Sequence, residues 1–299
     1  MQKAKKFPIY KTKKEQLMNI LITGHKGFIG SNLSKKLSCH NITGIDLKDG
    51  NNIFDTEYVN KLFEERNFDV VIHLAAIAGV GYSLEHSEEV LNNNIITFDI
   101  LAKTAIKHKV KHFIYASSSS VYGDDGTQKS PYAVSKATNE LQASMYSNLS
   151  DIKFTGLRFF TVYGQNIRKD LAISKFITAI QNDETLFVYG NGTQKRDFTY
   201  VDDICEAIKI LIETKKQWKN EIFDIGYGNN ITLNELIDTL KNIIKPSFDK
   251  IRYLEEKPYD VKETLANTDK FYKWFGFKPR YDIRKGLTHW LYGKDACSK

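Results

Sequence analysis

Hydrophobic and polar positions alternate regularly along the chain from Met18 to about residue 160. Short apolar runs are each followed by a longer amphipathic segment. The runs are MNILITG, NITGID, DVVIHLAA, KHFIYASSS and IKFTGLRFF, and the segments between them include FIGSNLSKKLS, YVNKLFEERN and LAKTAIKHKV. Strands that alternate with helix-length segments indicate βαβ units and a parallel sheet with helices on both faces. The pattern therefore predicts an α/β protein with a doubly wound parallel sheet.

The regularity weakens beyond residue 160. TLFVYGNG, RDFTYVDD, EIFDIG and KIRYLEE are typical of short strands, and helices such as LAISKFITAIQN separate them. We expect a basic N-terminal extension at residues 1–17 and a dinucleotide-binding domain at 18–160. Residues 161–299 are then mainly a smaller C-terminal substrate-binding lobe, interleaved with the last strands of the sheet.

The composition is that of an ordinary soluble protein, with 41% hydrophobic and 26% charged residues in 299. No apolar run approaches the roughly 20 residues of a membrane span, and no secretory signal is recognisable, so we expect a cytoplasmic protein without a membrane partner.

The formal charge of +7 owes much to six lysines among the first fourteen residues. No aromatic and basic recognition motif accompanies them, so we expect no nucleic-acid partner. Cys39, Cys205 and Cys297 form no CxxC pair, and we predict neither a disulfide framework nor a metal site.

A glycine-rich turn follows the first predicted strand. Gly24, Gly27 and Gly30 lie directly after a strand and before a helix, where glycines allow a tight turn and close approach of the backbone to a pyrophosphate. Sixteen residues beyond Gly30, the second strand ends at Asp46, whose carboxylate suits a ribose diol and would repel a 2′-phosphate. This favours NAD over NADP in a Rossmann-like domain, although Asp46 as a mere turn former remains an alternative. The further residues expected to contact the cofactor are Phe28, Ile29, Asn52, Ile53, Leu74, Ala75 and Ala76.

Tyr132 and Lys136 lie four residues apart, directly after Pro131. Proline suits the first turn of a helix, so both side chains should project from one helix face. An ammonium beside a phenol favours the phenolate and lowers the phenol pKa, which gives a base for an alcohol proton. The pair alone is also typical of a solvated helix face.

Six motifs together resemble a known family. GHKGFIG, HLAAIAGVGYS, YASSSSVYG, YAVSK, LRFFTVYG and RDFTYVDD occur in the order and rough spacing of extended short-chain dehydrogenases/reductases. Within that family they are most similar to nucleotide-sugar 4-epimerases, and specifically to the UDP-glucuronate 4-epimerase group. The resemblance extends from about Met18 to Trp290.

The resemblance implies a catalytic set. Tyr132 would remove the proton of the sugar 4-hydroxyl, Lys136 would bind the nicotinamide ribose, and Ser118 would be the hydroxyl partner. Related dehydratases carry an Asp-Glu pair where this chain has Ser119 and Ser120, so epimerisation is the simplest chemistry that remains. It would proceed by oxidation at C4, rotation of the 4-keto sugar and return of the hydride to the opposite face.

The resemblance also implies substrate contacts. Arg196 would bind the diphosphate, or alternatively pair with Asp197 or Asp202. Arg168 would meet a C6 carboxylate, or alternatively be a surface charge. The other residues expected at the UDP-sugar are Ser118, Ser119, Thr161, Val188, Tyr189 and Asp260.

Two features depart from the family pattern. Only thirteen residues separate Ser118 from Tyr132, about ten fewer than in most relatives. Gly81 stands where the glucuronate group typically has arginine, which keeps a neutral hexose or N-acetylhexosamine open as the sugar.

The preferred function is therefore 4-epimerisation of UDP-glucuronate and UDP-galacturonate with NAD. The alternatives are a 4-epimerase of UDP-glucose or UDP-N-acetylglucosamine, a nucleotide-sugar reductase, and a non-enzymatic NAD-binding regulator. Retention of Ser118, Tyr132 and Lys136 together argues against the regulator. The resemblance also implies a homodimer formed through helices that begin near Ile95 and Tyr132.

Overall fold

The computed structural model describes residues 17–293, so most of the predicted basic extension and Cys297 lie outside the described residues. Up to Phe159 the chain alternates strands and helices as the pattern predicts. The elements are β1 Asn19–Thr23, α1 Phe28–Lys36, β2 Asn41–Ile45, α2 Thr56–Arg66, β3 Val70–His73, α3 Val80–Glu85, α4 Ser87–Lys107, β4 His112–Ser118, α5 Pro131–Leu149 and β5 Lys153–Phe159.

The second half contains shorter strands and five helices in its described part. The elements are β6 Thr161–Tyr163, α6 Ala172–Asn182, β7 Leu186–Tyr189, β8 Lys195–Arg196, β9 Phe198–Tyr200, α7 Val201–Glu213, β10 Asn220–Ile225, β11 Ile231–Thr232, α8 Leu233–Ile244, β12 Ile251–Leu254, α9 Asp269–Phe275 and α10 Ile283–Tyr292. RDFTYVDD is not one strand throughout, because Arg196 ends β8, Phe198–Tyr200 forms β9 and the helix begins at Val201. Asp202 and Asp203 occupy the first turn of that helix, where acidic side chains interact favourably with the helix dipole.

Six parallel strands form the central sheet in the order β10-β5-β4-β3-β1-β2. The order reverses between β1 and β3, and in sheets of this kind ligands bind beyond the carboxyl ends of the strands at that point. The α/β class with a Rossmann-like doubly wound sheet is confirmed. The sixth strand, β10, comes from residues after 160, while the domain boundaries themselves stay a prediction.

Alternation along the strands divides the core between the two faces of the sheet. Ile20 and Ile22 pack with α1 and α7 on one face, whereas Leu21 packs with α2, α4 and α5 on the other. A third cluster, built from α6, α8, α10 and the short strands, forms the C-terminal lobe. In the described part of the chain no helix is long and apolar enough to cross a membrane.

Candidate active site

A large cleft opens at the carboxyl edge of the sheet, beneath the C-terminal lobe. Its volume is about 1720 Å³, and it is lined by the turn after β1, by the segments after β3, β4 and β5, and by residues between Tyr259 and Asn267. Pockets for one drug-sized ligand measure roughly 300–1,000 Å³. The cleft therefore has room for two ligands side by side.

The glycine turn forms one end of the cleft, and its glycines have little space for side chains. Gly24 has a φ of 71°, and a Cβ there would lie 2.9 Å from the Ala75 nitrogen. A Cβ on Gly30 would lie 2.1 Å from the Gly24 oxygen. Gly27 precedes α1 without a side-chain cap, so backbone N–H groups of the first helical turn can meet an anion. This cradle fits the pyrophosphate of a dinucleotide such as NAD.

Asp46 lies beside this turn and also lines the cleft. Its two oxygens accept hydrogen bonds from the backbone nitrogens of Lys26 and Lys48, each at 3.0 Å. The carboxylate therefore caps a short turn, as the alternative interpretation expected, and still faces the space where a ribose would lie. The other predicted cofactor residues that line the cleft are Gly24, Gly27, Phe28, Ile29, Gly30, Asn52, Ile53, Leu74, Ala75 and Ala76.

Thr23 and His73, which the sequence reasoning missed, support the turn from below. The Thr23 hydroxyl lies 2.8 Å from Nδ1 of His73 and accepts a hydrogen bond from the Ala75 nitrogen at 3.2 Å. Burial, together with the nearby charge of Lys136, lowers the pKa of His73 to about 3. The imidazole is therefore neutral at physiological pH and acts as a fixed hydrogen-bonding group.

Ser118, Tyr132 and Lys136 all line the cleft. Ser118 ends β4, and Ser130 caps α5 by accepting a hydrogen bond from the Ala133 nitrogen, so Tyr132 lies in the first helical turn. Lys136 is 2% exposed, donates to the Ala116 oxygen at 2.8 Å, and lies 5.9 Å from the centroid of the Tyr132 ring. The end of β4 and the start of α5 thus bring the three predicted residues together.

The pKa of Tyr132 is raised, whereas the sequence predicted that Lys136 would lower it. Burial raises this pKa, and a hydrogen bond with Ser118 and the positive charge of Arg168 only partly oppose the rise. Burial also lowers the pKa of Lys136 to about 8. Desolvation of the phenolate therefore outweighs attraction to a nearby cation in this structure.

A polar network next to these three residues was not predicted from the sequence. Glu140 accepts hydrogen bonds from Ser117 at 2.6 Å and from Nε and an NH2 group of Arg158 at 2.8 and 2.7 Å. The Arg158 guanidinium also donates to the Tyr122 hydroxyl at 2.6 Å, and that hydroxyl donates to Asp224 at 2.8 Å. The network joins α5 to the ends of β4, β5 and β10. No short sequence spacing signals it, because its members lie on four separate elements.

Arg196 and Asp260 form an ion pair at 2.5 Å on the C-terminal side of the cleft, which both residues line. Neither alternative partner of Arg196 is used. Asp197 is buried and instead accepts hydrogen bonds from backbone nitrogens of Tyr227 and Gly228 at 2.8 and 2.9 Å. A guanidinium in this position can make two hydrogen bonds to an anionic group.

Arg168 lines the cleft and joins two of its segments, with its side chain 36% exposed. It makes two hydrogen bonds to Asp170, at 2.9 and 2.5 Å, and donates to the Ala78 oxygen at 2.9 Å. The guanidinium therefore lies between the segment after β6 and the loop after β3. Ser119 and Thr161, also predicted at the substrate, line the same cleft.

Val188 and Tyr189 do not line the cleft. Alternation along β7 buries Val188 completely in the C-terminal core and turns Tyr189 outward with 41% exposure. Lys257 lies over the Tyr189 ring, 3.8 Å from its centroid. Burial of the Val188 side chain does not agree with the expectation that Val188 contacts the UDP-sugar, and the alternation along β7 gives the reason.

The shortened loop after β4 closes against the C-terminal lobe. Asp124 forms an ion pair with Lys129 at 2.7 Å and accepts a hydrogen bond from the backbone nitrogen of Lys262 at 3.1 Å. Nearby, a Cβ on Gly81 would lie 3.2 Å from the Tyr259 hydroxyl. Tyr259 therefore occupies space beside the position where the glucuronate group has arginine.

The comparisons agree with this geometry. The model of the NAD-dependent epimerase/dehydratase family matches residues 20–226. Protein CapI of Staphylococcus aureus is 36% identical, over 92% of this chain and 97% of its own. Among solved structures, UDP-glucuronic acid 4-epimerase from Bacillus cereus, in complex with UDP-glucuronic acid and NAD, has a TM-score of 0.84 and 32% identity, covering 90% of this chain and 96% of that one. UDP-glucose 4-epimerase from Thermotoga maritima, with UDP-glucose, has a TM-score of 0.86 and 27% identity, covering 92% and 98%.

Proposed function

We propose, since the chain belongs to the NAD-dependent epimerase/dehydratase family, that it is an enzyme that inverts C4 of a UDP-sugar with NAD as its cofactor. The preferred pair of substrates is UDP-glucuronate and UDP-galacturonate. The observation that carries the proposal is the convergence of Ser118, Tyr132 and Lys136 in one cleft with the glycine turn. A hydroxyl, a phenol and an ammonium are the groups needed to take a proton from an alcohol while a hydride leaves the same carbon.

Each residue of this set has a defined task. The Tyr132 phenolate accepts the proton of the 4-hydroxyl and later returns it, and Ser118 holds the same oxygen by a hydrogen bond. NAD, held by the glycine turn, Asp46 and Lys136, would supply the acceptor and donor for the hydride of C4. The Lys136 ammonium stabilises the phenolate and holds the nicotinamide ribose, and its donation to the Ala116 oxygen fixes its position. Bonds broken in the first half of the cycle are remade in the second, so no external oxidant is consumed.

The substrate end of the cleft supports a nucleotide sugar. Arg196 would bind the diphosphate, and Asp260, its partner in the ion pair, would bind the uridine ribose. Arg168 would bind the sugar carboxylate, with Ser119 and Thr161 at the ring hydroxyls. Asp224, a carboxylate that lines the cleft, already accepts a hydrogen bond from Tyr122, which supports epimerisation over loss of water.

A neutral sugar is the second candidate, because of Gly81. The Tyr259 hydroxyl, rather than a guanidinium, lies beside Gly81, and a phenol hydroxyl can serve a neutral sugar as well as an acidic one. UDP-glucose and UDP-N-acetylglucosamine are therefore the alternative substrates.

The test is incubation of the purified protein with UDP-glucuronate, UDP-glucose or UDP-N-acetylglucosamine, without added NAD, while NMR follows the anomeric protons. We expect conversion of UDP-glucuronate into its 4-epimer. Turnover only with added reduced cofactor would favour the reductase, and binding of NAD without turnover of any sugar would favour the regulator.

We also propose that the protein is a homodimer that works in the cytoplasm. Support for the dimer comes from α4 and α5, which pack together and expose apolar side chains that include Ile96, Leu141, Met145 and Leu149. Exposed apolar stripes of this kind are typical of interaction surfaces. Cell fractionation would test the location.

A further inference from the structure

Lys129, Arg168 and Arg196 are three of the cations that line the substrate end of the cleft, and each of them is paired with a carboxylate. The counterion of Arg196, Asp260, itself lines the cleft. The counterions of the other two, Asp124 and Asp170, are not part of the lining. Lys129 and Arg168 therefore face the cleft while a carboxylate behind each one holds it in place.

Lys129 owes its position to the shortened loop. It lies three residues before Tyr132, and its ammonium, with three donors, uses one of them on Asp124 at 2.7 Å. Asp124 is itself held by the backbone nitrogen of Lys262 at 3.1 Å. Two hydrogen-bond donors of the ammonium thus remain for a ligand in the cleft that Lys129 and Tyr132 both line.

The two cationic groups contact loops on opposite sides of β4, the strand that ends at Ser118, although Arg168 itself follows β6 and is also paired with Asp170. Arg168 is tied to the loop after β3 through the Ala78 oxygen. The loop that carries Lys129 makes its hydrogen bonds on the other side of β4. Tyr122 donates to Asp224 at the end of β10, and Asp124 accepts from the backbone nitrogen of Lys262. In the sheet, β3 adjoins β4 on one side, while β5 and β10 lie on the other.

Inversion at C4 demands two orientations of the sugar. The ring must show its other face to the nicotinamide while C4 stays beside Tyr132, which requires a half-turn about the axis through C1 and C4. Such a turn exchanges the flanks on which C3 and C5 lie. A carboxylate on C5 therefore moves from one side of the ring to the other.

We propose that Lys129 binds the sugar carboxylate in one of these orientations and Arg168 binds it in the other. The inference rests on the proposed function and assigns Lys129 as a residue that determines specificity for uronates. A cation on each flank keeps the carboxylate paired in both orientations, so neither epimer leaves a desolvated charge unpaired.

The experiment measures binding of UDP-glucuronate, UDP-galacturonate and UDP-glucose by calorimetry. The NAD-loaded Tyr132→Phe variant serves as the parent protein, because it cannot interconvert the ligands. Lys129→Met, Lys129→Arg, Arg168→Met and Asp124→Asn are each added to it. Lys111→Met is the matched control, because Lys111 pairs with Asp69 at the same 2.7 Å but lies before β4, far from the cleft.

We expect Lys129→Met to weaken binding of one uronate epimer about tenfold, because one charge-assisted hydrogen bond is lost. Binding of the other epimer should weaken less than twofold. Arg168→Met should show the reverse preference. UDP-glucose should bind every variant within twofold of the parent, and Lys129→Arg should restore the lost affinity. Asp124→Asn keeps an acceptor for Lys262 and should bind both uronates at least as tightly as the parent.

Equal weakening of all three ligands by Lys129→Met, or a matching loss in Asp124→Asn, would show that the ion pair only holds the loop. Equal weakening of both uronates, or of neither, would also overturn the inference while leaving 4-epimerisation intact. A parent protein that binds UDP-glucose but neither uronate would instead reject the uronate substrates, and the inference with them.

Discussion

At the scale of single residues, Lys136 shows how burial sets the chemistry of the cleft. Its ammonium is removed from water and donates a hydrogen bond to the Ala116 oxygen, and burial lowers its pKa to about 8. A buried lysine of this kind costs stability and persists where it has a task. In the proposed mechanism this task is to stabilise a negative charge on Tyr132.

Replacing Lys136 with methionine should therefore separate stability from activity. Between pH 8 and about 10.5 the unfolded chain binds the lysine proton and the folded protein does not, so the free energy of unfolding rises with pH across this window. Below pH 8 the full penalty is present. Lys136→Met should lower kcat at least about 100-fold and abolish this rise. Denaturant unfolding at pH 7, 8, 9 and 10 checks it, and an unchanged pH slope would count against the lowered pKa.

Single residues also mark the limit of reasoning from the sequence. Tyr132, Lys136 and Asp46 could be found because a local motif and its spacing identify them. Glu140 and Arg158 could not, since their ion pair depends on the register of β4 and β5 and on the face of α5. The pKa of Tyr132 was predicted in the wrong direction, because a sequence shows neighbouring charges but not loss of solvent.

At the scale of elements, the Glu140 and Arg158 ion pair joins α5 to β5 behind the active site. Both side chains are largely buried, with 11% and 23% exposure, and removal of one partner leaves the other charge inside. Glu140→Gln should reduce the free energy of unfolding by roughly 3 kcal/mol. Glu213→Gln removes the carboxylate of a more exposed pair with Lys209 and should cost under about 1 kcal/mol. Equal losses of the free energy of unfolding in urea titrations would show that the buried pair contributes no more to stability than the exposed pair.

The junction of β1 and α1 depends on Gly30. A methyl group there would meet backbone atoms of Gly24 and His25, which cannot rotate away. Gly30→Ala should destabilise the protein by about 1–3 kcal/mol and reduce the NAD that copurifies with it. Gly81→Ala meets only the Tyr259 hydroxyl and should keep its NAD. Full NAD content in Gly30→Ala would mean that the turn can shift without harm.

The elements of the first half could be predicted because each βαβ unit is specified by its own stretch of sequence. The short strands β6, β8 and β11 were not predicted, because two or three residues carry no readable alternation. Their strand character depends on pairing with distant segments, such as Arg196 with Ile231. A strand was predicted over the start of α7 because the three residues of β9 are too few to show where the strand ends.

At the scale of the whole molecule, the exposed apolar faces of α4 and α5 would form the interface of the proposed dimer. Leu141 on α5 is 72% exposed. Leu141→Glu places a charge in the proposed interface and should convert a dimer into a monomer, which sedimentation velocity would show. Leu265→Glu changes a leucine with 53% exposure that lies off these helices and should leave the dimer intact. A wild-type protein that sediments as a monomer would reject the dimer.

The whole molecule also explains why the substrate is harder to predict than the cofactor. The cofactor end is built from one local turn and the end of the next strand, which a short sequence displays. The substrate end combines Arg168, Arg196, Lys129 and Tyr259 from separate segments, and the paired carboxylates decide which charges a ligand meets.

The central claim is that C4 is inverted by a hydride that leaves and returns within one cleft. Its most direct test is incubation of UDP-glucuronate, deuterated at C4, with the purified holoenzyme and no added NAD. We predict UDP-galacturonate that keeps its deuterium at C4, and no product with Tyr132→Phe. Loss of the deuterium to solvent, or product that forms only with added cofactor, would contradict the account.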